Sequence, residues 1–312
     1  MLTNLSPNAR GAVLMSATMA AFALNDMMIK WVSTDVNLFQ AIMIRGLFMI
    51  AALALVCHRR GYLAFRPAAD DRRRLVWRTI GEVGQTVTYL NALYHMPIAN
   101  VAAILQSLPL AMTLGAAVFL REPVGWRRLA AIVAGFMGVL MIVRPGPEGF
   151  NAYALSALGT VGFVVLRDLI TRRLNDDVPS LFIALLTALS VTTFAAIAAL
   201  FQEWRPVSVR EVGMLAVAAG FLIFGYLFVT MAMRVGDVSF SAPFRYTILL
   251  WSLLIGALMF NEIPRPLTLA GAALIVVSGI YTFYRERRLQ RSIAASSSPA
   301  NNNPTNLSPP ER

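Results

Sequence analysis

Three polar side chains share one face of a predicted helix in the apolar stretch 76–94. Glu82, Gln85 and Tyr89 follow i, i+3, i+7 spacing, which places them on the same side of an α-helix. A carboxylate, an amide and a phenol can together bind a polar organic molecule through charge and hydrogen bonds. We therefore predict that this face lines a cavity for a small-molecule substrate.

Arg245, Tyr246 and Trp251 form a second candidate group. A guanidinium can bind a carboxylate through two parallel hydrogen bonds, and it can also stack on a planar ring. Aromatic side chains add flat apolar surface for a ring-bearing compound. The alternative is that Arg245 forms an ion pair with Asp168 or Glu82 instead of contacting a substrate.

Gln106 is the candidate in the stretch 97–120, where it lies close to Pro109. Proline bends a helix and frees a backbone carbonyl, so this part of the stretch is expected to form a wall of the cavity. The alternative is that the Gln106 amide bonds to a neighbouring helix, as buried amides commonly do.

Four further charged residues lie inside apolar stretches: Asp26, Lys30, Arg45 and Asp168. Asp26 and Lys30 are four residues apart, so we expect them to share a helix face and to pair. Arg45 has no nearby carboxylate in its own helix, and its expected partner is Asp26 or Glu82. Asp168 is expected to form an ion pair near the end of its helix. A structural role and a role in coupling to protons both stay open for these residues.

Long apolar stretches are the elements that must position these residues. Of 312 residues, 57% are hydrophobic and only 14% are charged, whereas soluble domains carry about 25% charged residues. A membrane-spanning helix needs about 20 predominantly apolar residues. The sequence therefore predicts an all-α integral membrane protein with ten transmembrane helices. The predicted spans are 11–31, 36–57, 76–94, 97–120, 128–143, 152–171, 180–201, 212–233, 238–260 and 267–284.

The net charge of +11 is distributed as expected for a multi-pass membrane protein. If residues 1–10 form a cytoplasmic N-terminus, the loops on the cytoplasmic side contain 17 arginines and those on the other side contain four. Basic residues concentrate on the cytoplasmic side of membrane proteins. We therefore predict that both termini are cytoplasmic, that the partner is the lipid bilayer and that nucleic acid is not bound. Residues 292–312, rich in Ser, Asn and Pro, are predicted to be a disordered cytoplasmic tail.

Sites for cofactors, metals and covalent catalysis are not indicated. The sequence lacks a phosphate-binding loop, a dinucleotide-binding motif and zinc-ligand spacing. Cys57 is the only cysteine, and the two histidines, His58 and His95, lie at the ends of predicted spans. We therefore expect no cofactor, no metal, no catalytic residue and no enzymatic activity. A membrane sensor that binds a ligand without moving it is an alternative of a different class.

The second half of the chain resembles the first. At an offset of 140 residues Glu122 aligns with Glu262, and at an offset of 142 Asp26 aligns with Asp168. Each half contains five predicted spans. Because five is odd, the second half must cross the membrane in the inverted orientation, so the prediction is two inverted five-helix repeats. The predicted repeats cover 11–144 and 152–284.

Particular segments resemble a known family. The segment 118–123 (Val-Phe-Leu-Arg-Glu-Pro) resembles the end of the fourth helix in the EamA-type drug/metabolite transporters, and 258–262 (Leu-Met-Phe-Asn-Glu) resembles its second copy. The segments 24–30 and 242–246 are most similar to the branch that includes bacterial S-adenosylmethionine uptake carriers, and riboflavin carriers belong to the same broad family. The resemblance implies a central cavity lined mainly by the third, fourth, eighth and ninth helices.

The resemblance and the polar residues together lead to one expected function. We expect secondary active transport of a small organic metabolite across the bacterial inner membrane, with the two halves rocking around a midplane site. Uptake of S-adenosylmethionine or a similar ring-bearing metabolite is the first expectation. Riboflavin uptake and export of amino acids or drugs are the alternatives within the family. The sequence leaves open the substrate, the direction, proton coupling and the oligomeric state, a homodimer included.

Overall fold

The computed structural model describes residues 6–120, 125–144, 151–175, 177–235 and 238–296. These residues form α-helices, two short 3₁₀ turns (Tyr62–Ala64 and Ala242–Tyr246) and connecting loops, and no strand. The helices are α1 (Pro7–Val32), α2 (Leu38–Arg59), α3 (Ala69–His95), α4 (Ile98–Leu105), α5 (Leu108–Leu120), α6 (Trp126–Val143), α7 (Ala152–Thr171), α8 (Ser180–Ala199), α9 (Val209–Arg234), α10 (Val238–Ser241), α11 (Thr247–Phe260) and α12 (Pro266–Ser296).

The prediction of an all-α membrane protein is confirmed. In the described ranges nine helical segments are long and apolar enough to cross a membrane. α3 is a further helix of 27 residues. It is less apolar because its first turns carry a charged run from Asp70 to Arg74.

The chain ends differ in part from the predicted boundaries. α1 begins at Pro7, inside the predicted N-terminal segment 1–10, and α12 continues to Ser296, inside the predicted tail 292–312. Residues 297–312 lie outside the described residues, and so does Glu122.

Two spans are interrupted in the middle. α4 and α5 form the fourth span and are separated at Gln106 and Ser107, whereas the ninth span consists of α10, a 3₁₀ turn and α11. Each interruption contains or precedes a proline, Pro109 in the first and Pro243 in the second. Proline has no backbone N–H to continue the helical ladder, so the chain tightens or breaks there. Such discontinuous helices in equivalent positions of two repeats are typical of transporter binding sites.

The helices pack in pairs that combine the two repeats. α1 packs against α9, and the equivalent pair is α7 with α3; α2 packs against α8, and α6 against α12. A glycine permits close approach in the first two pairs: Gly225 lies against Phe22, and Gly84 lies against Phe163. The two glycines are 141 positions apart in the sequence, and the two phenylalanines are separated by the same offset. These contacts support the duplication.

The same contacts refine the alignment of the repeats around Asp26. An offset of 141 places Asp26 opposite Arg167 and not opposite Asp168, the residue aligned with it at an offset of 142. The equivalent positions in α1 and α7 therefore carry an acid and a base. The polar centre of the protein differs between the repeats.

Two groups of helices face each other across the middle of the protein. The α1 body contains α1, α9, α10, the second 3₁₀ turn and α11, and the α3 body contains α3, α4, α5 and α7. Within each body the helices pack extensively, whereas the main contact between the bodies is that of α4 with α11. Each body combines helices of both repeats, so the sequence halves predicted to rock are not the packing units.

Within the described ranges, the two bodies meet mainly at one side of the membrane. We call the side where α1 begins and α12 ends the terminal face, and the other side the opposite face. α4 and α11 pack together near the opposite face. Near the terminal face, α5 packs on α7 and the α10 segment packs on α1, without a comparable contact between them in the described ranges. In the described ranges, the bodies are therefore apart toward the terminal face.

Candidate functional site

Tyr226 lies beside the space between the two bodies. It lies in the terminal-face half of α9, and its side chain is 51% exposed. Its phenol nevertheless interacts electrostatically with Glu82, Arg167 and Arg45, which belong to α3, α7 and α2. An exposed side chain near charges of three other helices faces an internal, water-accessible space and not lipid. Tyr226 was not a predicted site residue, and the available signal was a phenol in the apolar middle of a span.

One buried cluster, the Asp26 cluster, consists of Asn25, Asp26, Arg45 and Tyr89. The Tyr89 phenol donates a hydrogen bond of 2.5 Å to Asp26 Oδ2, and the Asn25 amide donates one of 3.0 Å to Asp26 Oδ1. Arg45 Nη1 donates to Asn25 Oδ1 at 3.3 Å. The described residues show no direct ion pair between Arg45 and either predicted carboxylate, because the Asn25 amide bridges Arg45 to Asp26. The Tyr89 bond joins the α3 body to the α1 body.

A second cluster, the Glu82 cluster, consists of Arg78, Glu82, Gln85, Arg167 and Asp168. Arg78 Nη2 lies 3.3 Å and Arg167 Nη1 lies 3.4 Å from a Glu82 carboxylate oxygen. Arg167 Nε also pairs with Asp168 Oδ1 at 2.7 Å. Gln85 donates to Glu82 at 3.0 Å. Arg167 therefore pairs with Glu82 and Asp168, the two carboxylates predicted as alternative partners of Arg245. It reaches them because it lies directly beside Gly81 on the packed α3–α7 surface.

The predicted polar face of α3 connects these two clusters. Glu82 and Gln85 belong to one cluster, and Tyr89, nearer the opposite face, belongs to the other. The three side chains therefore do not meet at one point. They lie in a row along one side of α3. The Tyr89 end of this row, near the opposite face, contacts the α1 body.

Lys30 does not pair with Asp26. Its Nζ lies 2.6 Å from Glu262 Oε1 and donates to the Met96 carbonyl at 2.5 Å. Glu262 Oε2 accepts a hydrogen bond of 2.9 Å from the Ile98 backbone N–H. Because α1 ends at the opposite face, the long lysine side chain reaches across to neighbouring helices instead of back along its own. The signal for this special role was that Lys30 is the only lysine in the chain.

The bonds of Lys30 and Glu262 close the opposite face. Both residues are on the side of the α1 body, whereas Met96 and Ile98 flank the start of α4 in the α3 body. The two hydrogen bonds therefore cross between the bodies. The Lys30 ammonium also lies 5.5 Å from the centre of the Phe260 ring, a favourable cation–π distance.

Gln106 and Arg245 lie at the interruptions of the two broken spans. Gln106 ends α4 and is half-buried. Arg245 lies in the 3₁₀ turn before α11, where it is exposed and, among the described residues, has no ion pair. Arg245 is therefore an exposed cation at the interruption of the ninth span.

Tyr246 and Trp251 are directed elsewhere. The Tyr246 phenol packs directly against Gly279 of α12. Trp251 is 37% exposed on a face of α11 that it shares with the exposed Leu254 and Leu258. This face is apolar, which suits lipid better than a polar solute. Among the described contacts, neither aromatic ring meets the Asp26 cluster or the Glu82 cluster.

No group of three or more His, Cys, Asp and Glu side chains in the described ranges is arranged to hold a metal ion. The clusters instead combine carboxylates with guanidiniums, an amide and phenols. Such groups can bind an organic solute through charge and hydrogen bonds.

The family comparison agrees with this duplicated architecture. A profile of the EamA-like transporter family matches residues 9–144 and, separately, 151–284. The chain belongs to the EamA-like transporter family. It is therefore a multi-pass membrane protein of a transporter family, and the duplication is shared by the family.

Similar EamA-like proteins differ in what they carry. The riboflavin transporter of Vibrio cholerae is 32% identical over 206 residues, which are 64% of this chain and 68% of that protein. The S-adenosylmethionine uptake transporter of Rickettsia bellii is 27% identical and covers 87% of this chain and 92% of its own. The pseudopaline exporter of Pseudomonas aeruginosa is 26% identical over 86% of this chain and 93% of its own.

A solved crystal structure has the same fold. It is 20% identical to this chain, with a TM-score of 0.56 over 86% of this chain and 98% of the other.

Proposed function

We propose that this EamA-like protein takes up S-adenosylmethionine, or a similar charged and ring-bearing metabolite, across the bacterial inner membrane. The observation that carries the proposal is the space beside Tyr226, which faces the Glu82 cluster and opens to the terminal face. S-adenosylmethionine contains an adenine ring, a sulfonium cation and an amino-acid group. A phenol ring offers a stacking surface, a carboxylate attracts the cation and a guanidinium such as Arg245 suits the substrate carboxylate.

The named relatives support this choice of substrate. The Rickettsia uptake transporters of S-adenosylmethionine align over 91–92% of their length. Riboflavin is the second candidate, because one riboflavin transporter has the higher identity of 32% over a shorter region. Riboflavin is uncharged at neutral pH, so it makes less use of the paired charges around Glu82. Export, as in the relative from Pseudomonas aeruginosa, is the alternative direction.

The mechanism we propose is alternating access between the α1 body and the α3 body. The opposite face is closed by α4, α11 and the bonds of Lys30 and Glu262, while the terminal face is open. With the terminal face in the cytoplasm, as the arginine distribution predicts, this arrangement is the inward-open state. Rotation of the bodies about the Tyr89–Asp26 region then opens the opposite face and closes the terminal face.

Uptake of radiolabelled S-adenosylmethionine, riboflavin and amino acids by bacterial cells expressing the protein tests the proposal. Saturable uptake of S-adenosylmethionine is expected. Glu82→Gln removes the charge that holds two guanidiniums and is expected to lower uptake about tenfold or more, since a hydrogen bond to a charged group contributes about 1.5–3 kcal/mol. Arg245→Ala is expected to raise KM. Matched controls are Glu203→Gln and Arg210→Ala, whose residues are exposed in the loop before α9 and at its first turn.

Membrane abundance must be equal for all variants, measured by immunoblot. Normal uptake in both Glu82→Gln and Arg245→Ala would remove the basis for this site. Counterflow of labelled substrate in proteoliposomes separates a carrier from a sensor, since a sensor binds substrate without exchanging it across the membrane. Uptake of riboflavin alone would replace the proposed substrate with the second candidate.

A further inference from the structure

A separate cavity lies on the opposite face, outside the contact between α4 and α11. Its volume is about 410 Å³, which is within the range of small-molecule sites, about 300–1,000 Å³. The turn between α11 and α12, the start of α4 and the end of α6 form its walls. Its polar lining residues are Asn100, Arg144, Asn261, Glu262, Arg265 and Thr268.

Arg144 lines this cavity and has a guanidinium nitrogen without a partner among the described residues. It ends α6 in the left-handed conformation, with φ of 50°, and its backbone N–H donates to the Leu140 carbonyl. Its side-chain Nε is buried and has no hydrogen-bond partner in the described part of the chain. A buried donor without an acceptor costs free energy, which a bound anion would recover. Arg265 adds a second guanidinium to the same cavity.

Glu262 supplies the opposite charge in the same cavity. Its Oε1 pairs with Lys30, and its Oε2 accepts from the Ile98 N–H. Each carboxylate oxygen has two lone pairs, so each can accept another donor. The cavity therefore presents two groups for an anion and one for a cation, which is the pattern of a zwitterion site.

We propose that this cavity binds the amino-acid group of the solute, with its carboxylate on Arg144 and Arg265 and its ammonium on Glu262. The identity of the solute rests on the proposed function, whereas the zwitterion chemistry rests on the cavity itself. An ammonium on Glu262 shares the carboxylate with the Lys30 and Ile98 donors, and this sharing weakens both bonds. The cavity is therefore an entry site whose occupation loosens the bonds that close the opposite face.

Equilibrium binding of labelled L-methionine to the purified full-length protein in detergent tests the site, because methionine has the amino-acid group and lacks the adenine ring. Arg144→Gln and Arg265→Gln are each expected to weaken methionine binding by about 10- to 100-fold, the loss for a charge-assisted hydrogen bond. Arg210→Gln, a matched control near the same face, is expected to bind normally.

A second ligand checks that the effect belongs to the amino-acid group. 5′-Methylthioadenosine lacks that group, so its binding is expected to be equal in Arg144→Gln and the unchanged protein. If thermal melting shows that Arg144→Gln is unstable, Arg144→Lys keeps the charge and removes the two-pronged geometry, and an intermediate loss is expected. Methionine affinity equal to that of Arg210→Gln in all cavity variants overturns the proposal. Failure of S-adenosylmethionine uptake with Arg144-dependent methionine binding would overturn only the proposed substrate.

Discussion

Replacing Lys30 with methionine should open the opposite face. Methionine has nearly the length of lysine and keeps its apolar contacts, but it cannot donate to the Met96 carbonyl or pair with Glu262. The Glu262 bond to the Ile98 N–H remains as the second polar link between the bodies. The change therefore removes one of the crossing bonds at this face without introducing a bulky group.

The size of the effect follows from the bond between Lys30 and the Met96 carbonyl, which crosses between the bodies, while Glu262 holds the ammonium in place. A hydrogen bond to a charged group contributes about 1.5–3 kcal/mol, and solvent exposure lowers such values. The Lys30 side chain is 10% exposed, so we expect about 1–3 kcal/mol. This corresponds to a change of about 5- to 150-fold in the equilibrium between the closed and open opposite face.

Cysteine labelling can measure this equilibrium, because the chain has a single cysteine. Cys57 is buried, and Cys57→Ser gives a background without thiols. Ala103→Cys is the reporter: it is 1% exposed on α4, one turn deeper than Ala99, which lines the cavity at the opposite face. Labelling of this cysteine by a membrane-impermeant maleimide should become about 5- to 150-fold faster when Lys30→Met is added.

A double-mutant cycle shows whether the pair causes the change. In Lys30→Met with Glu262→Gln, labelling should be close to that of Lys30→Met, because the shared interaction is lost only once. Glu262→Gln still offers an oxygen to the Ile98 N–H. An unchanged labelling rate in Lys30→Met, or effects of the two substitutions that simply add, would refute the closing role of the pair.

Two further predictions concern packing and orientation. Gly138→Leu should destabilise the protein by about 1–3 kcal/mol, because a Cβ there would lie 2.6 Å from the Gly271 carbonyl oxygen, whereas Gly162→Leu has no neighbour within 4 Å and should melt normally in detergent. In the thiol-free background, Glu203→Cys should react with an impermeant maleimide in intact cells and Arg60→Cys should not; the reverse pattern would place the termini outside.

Local spacing predicted the contacts that form within one helix. Glu82 and Gln85 are three residues apart and bond as the helical geometry requires. The same rule gave a wrong prediction for Asp26 and Lys30, which do not pair. Spacing shows which groups can meet but does not show which competing partner is nearer. Tyr89 donates a hydrogen bond to Asp26 from another helix, and Lys30 forms an ion pair with Glu262. Such choices depend on how helices far apart in sequence pack.

The duplication was visible in sequence, but the packing of its parts was not. Hydropathy and the odd number of spans were enough to predict ten helices in two inverted repeats. They could not show that α1 packs with α9 and α3 with α7, since that depends on small residues such as Gly225 and Gly84 facing Phe22 and Phe163. We therefore propose movement of two mixed bodies in place of the predicted rocking of two sequence halves.

In the mechanism that we propose, these mixed bodies determine which solute can be carried. A ligand shifts a conformational equilibrium only through a difference in affinity between the states. The Lys30–Met96 and Ile98–Glu262 bonds both favour closure at the opposite face. A transported molecule must therefore contact both bodies when the terminal face closes, with Tyr226 on one side and Glu82 on the other. A molecule that contacts one body alone would bind without driving closure. Contact with both bodies is therefore what distinguishes a carried substrate from a bound inhibitor.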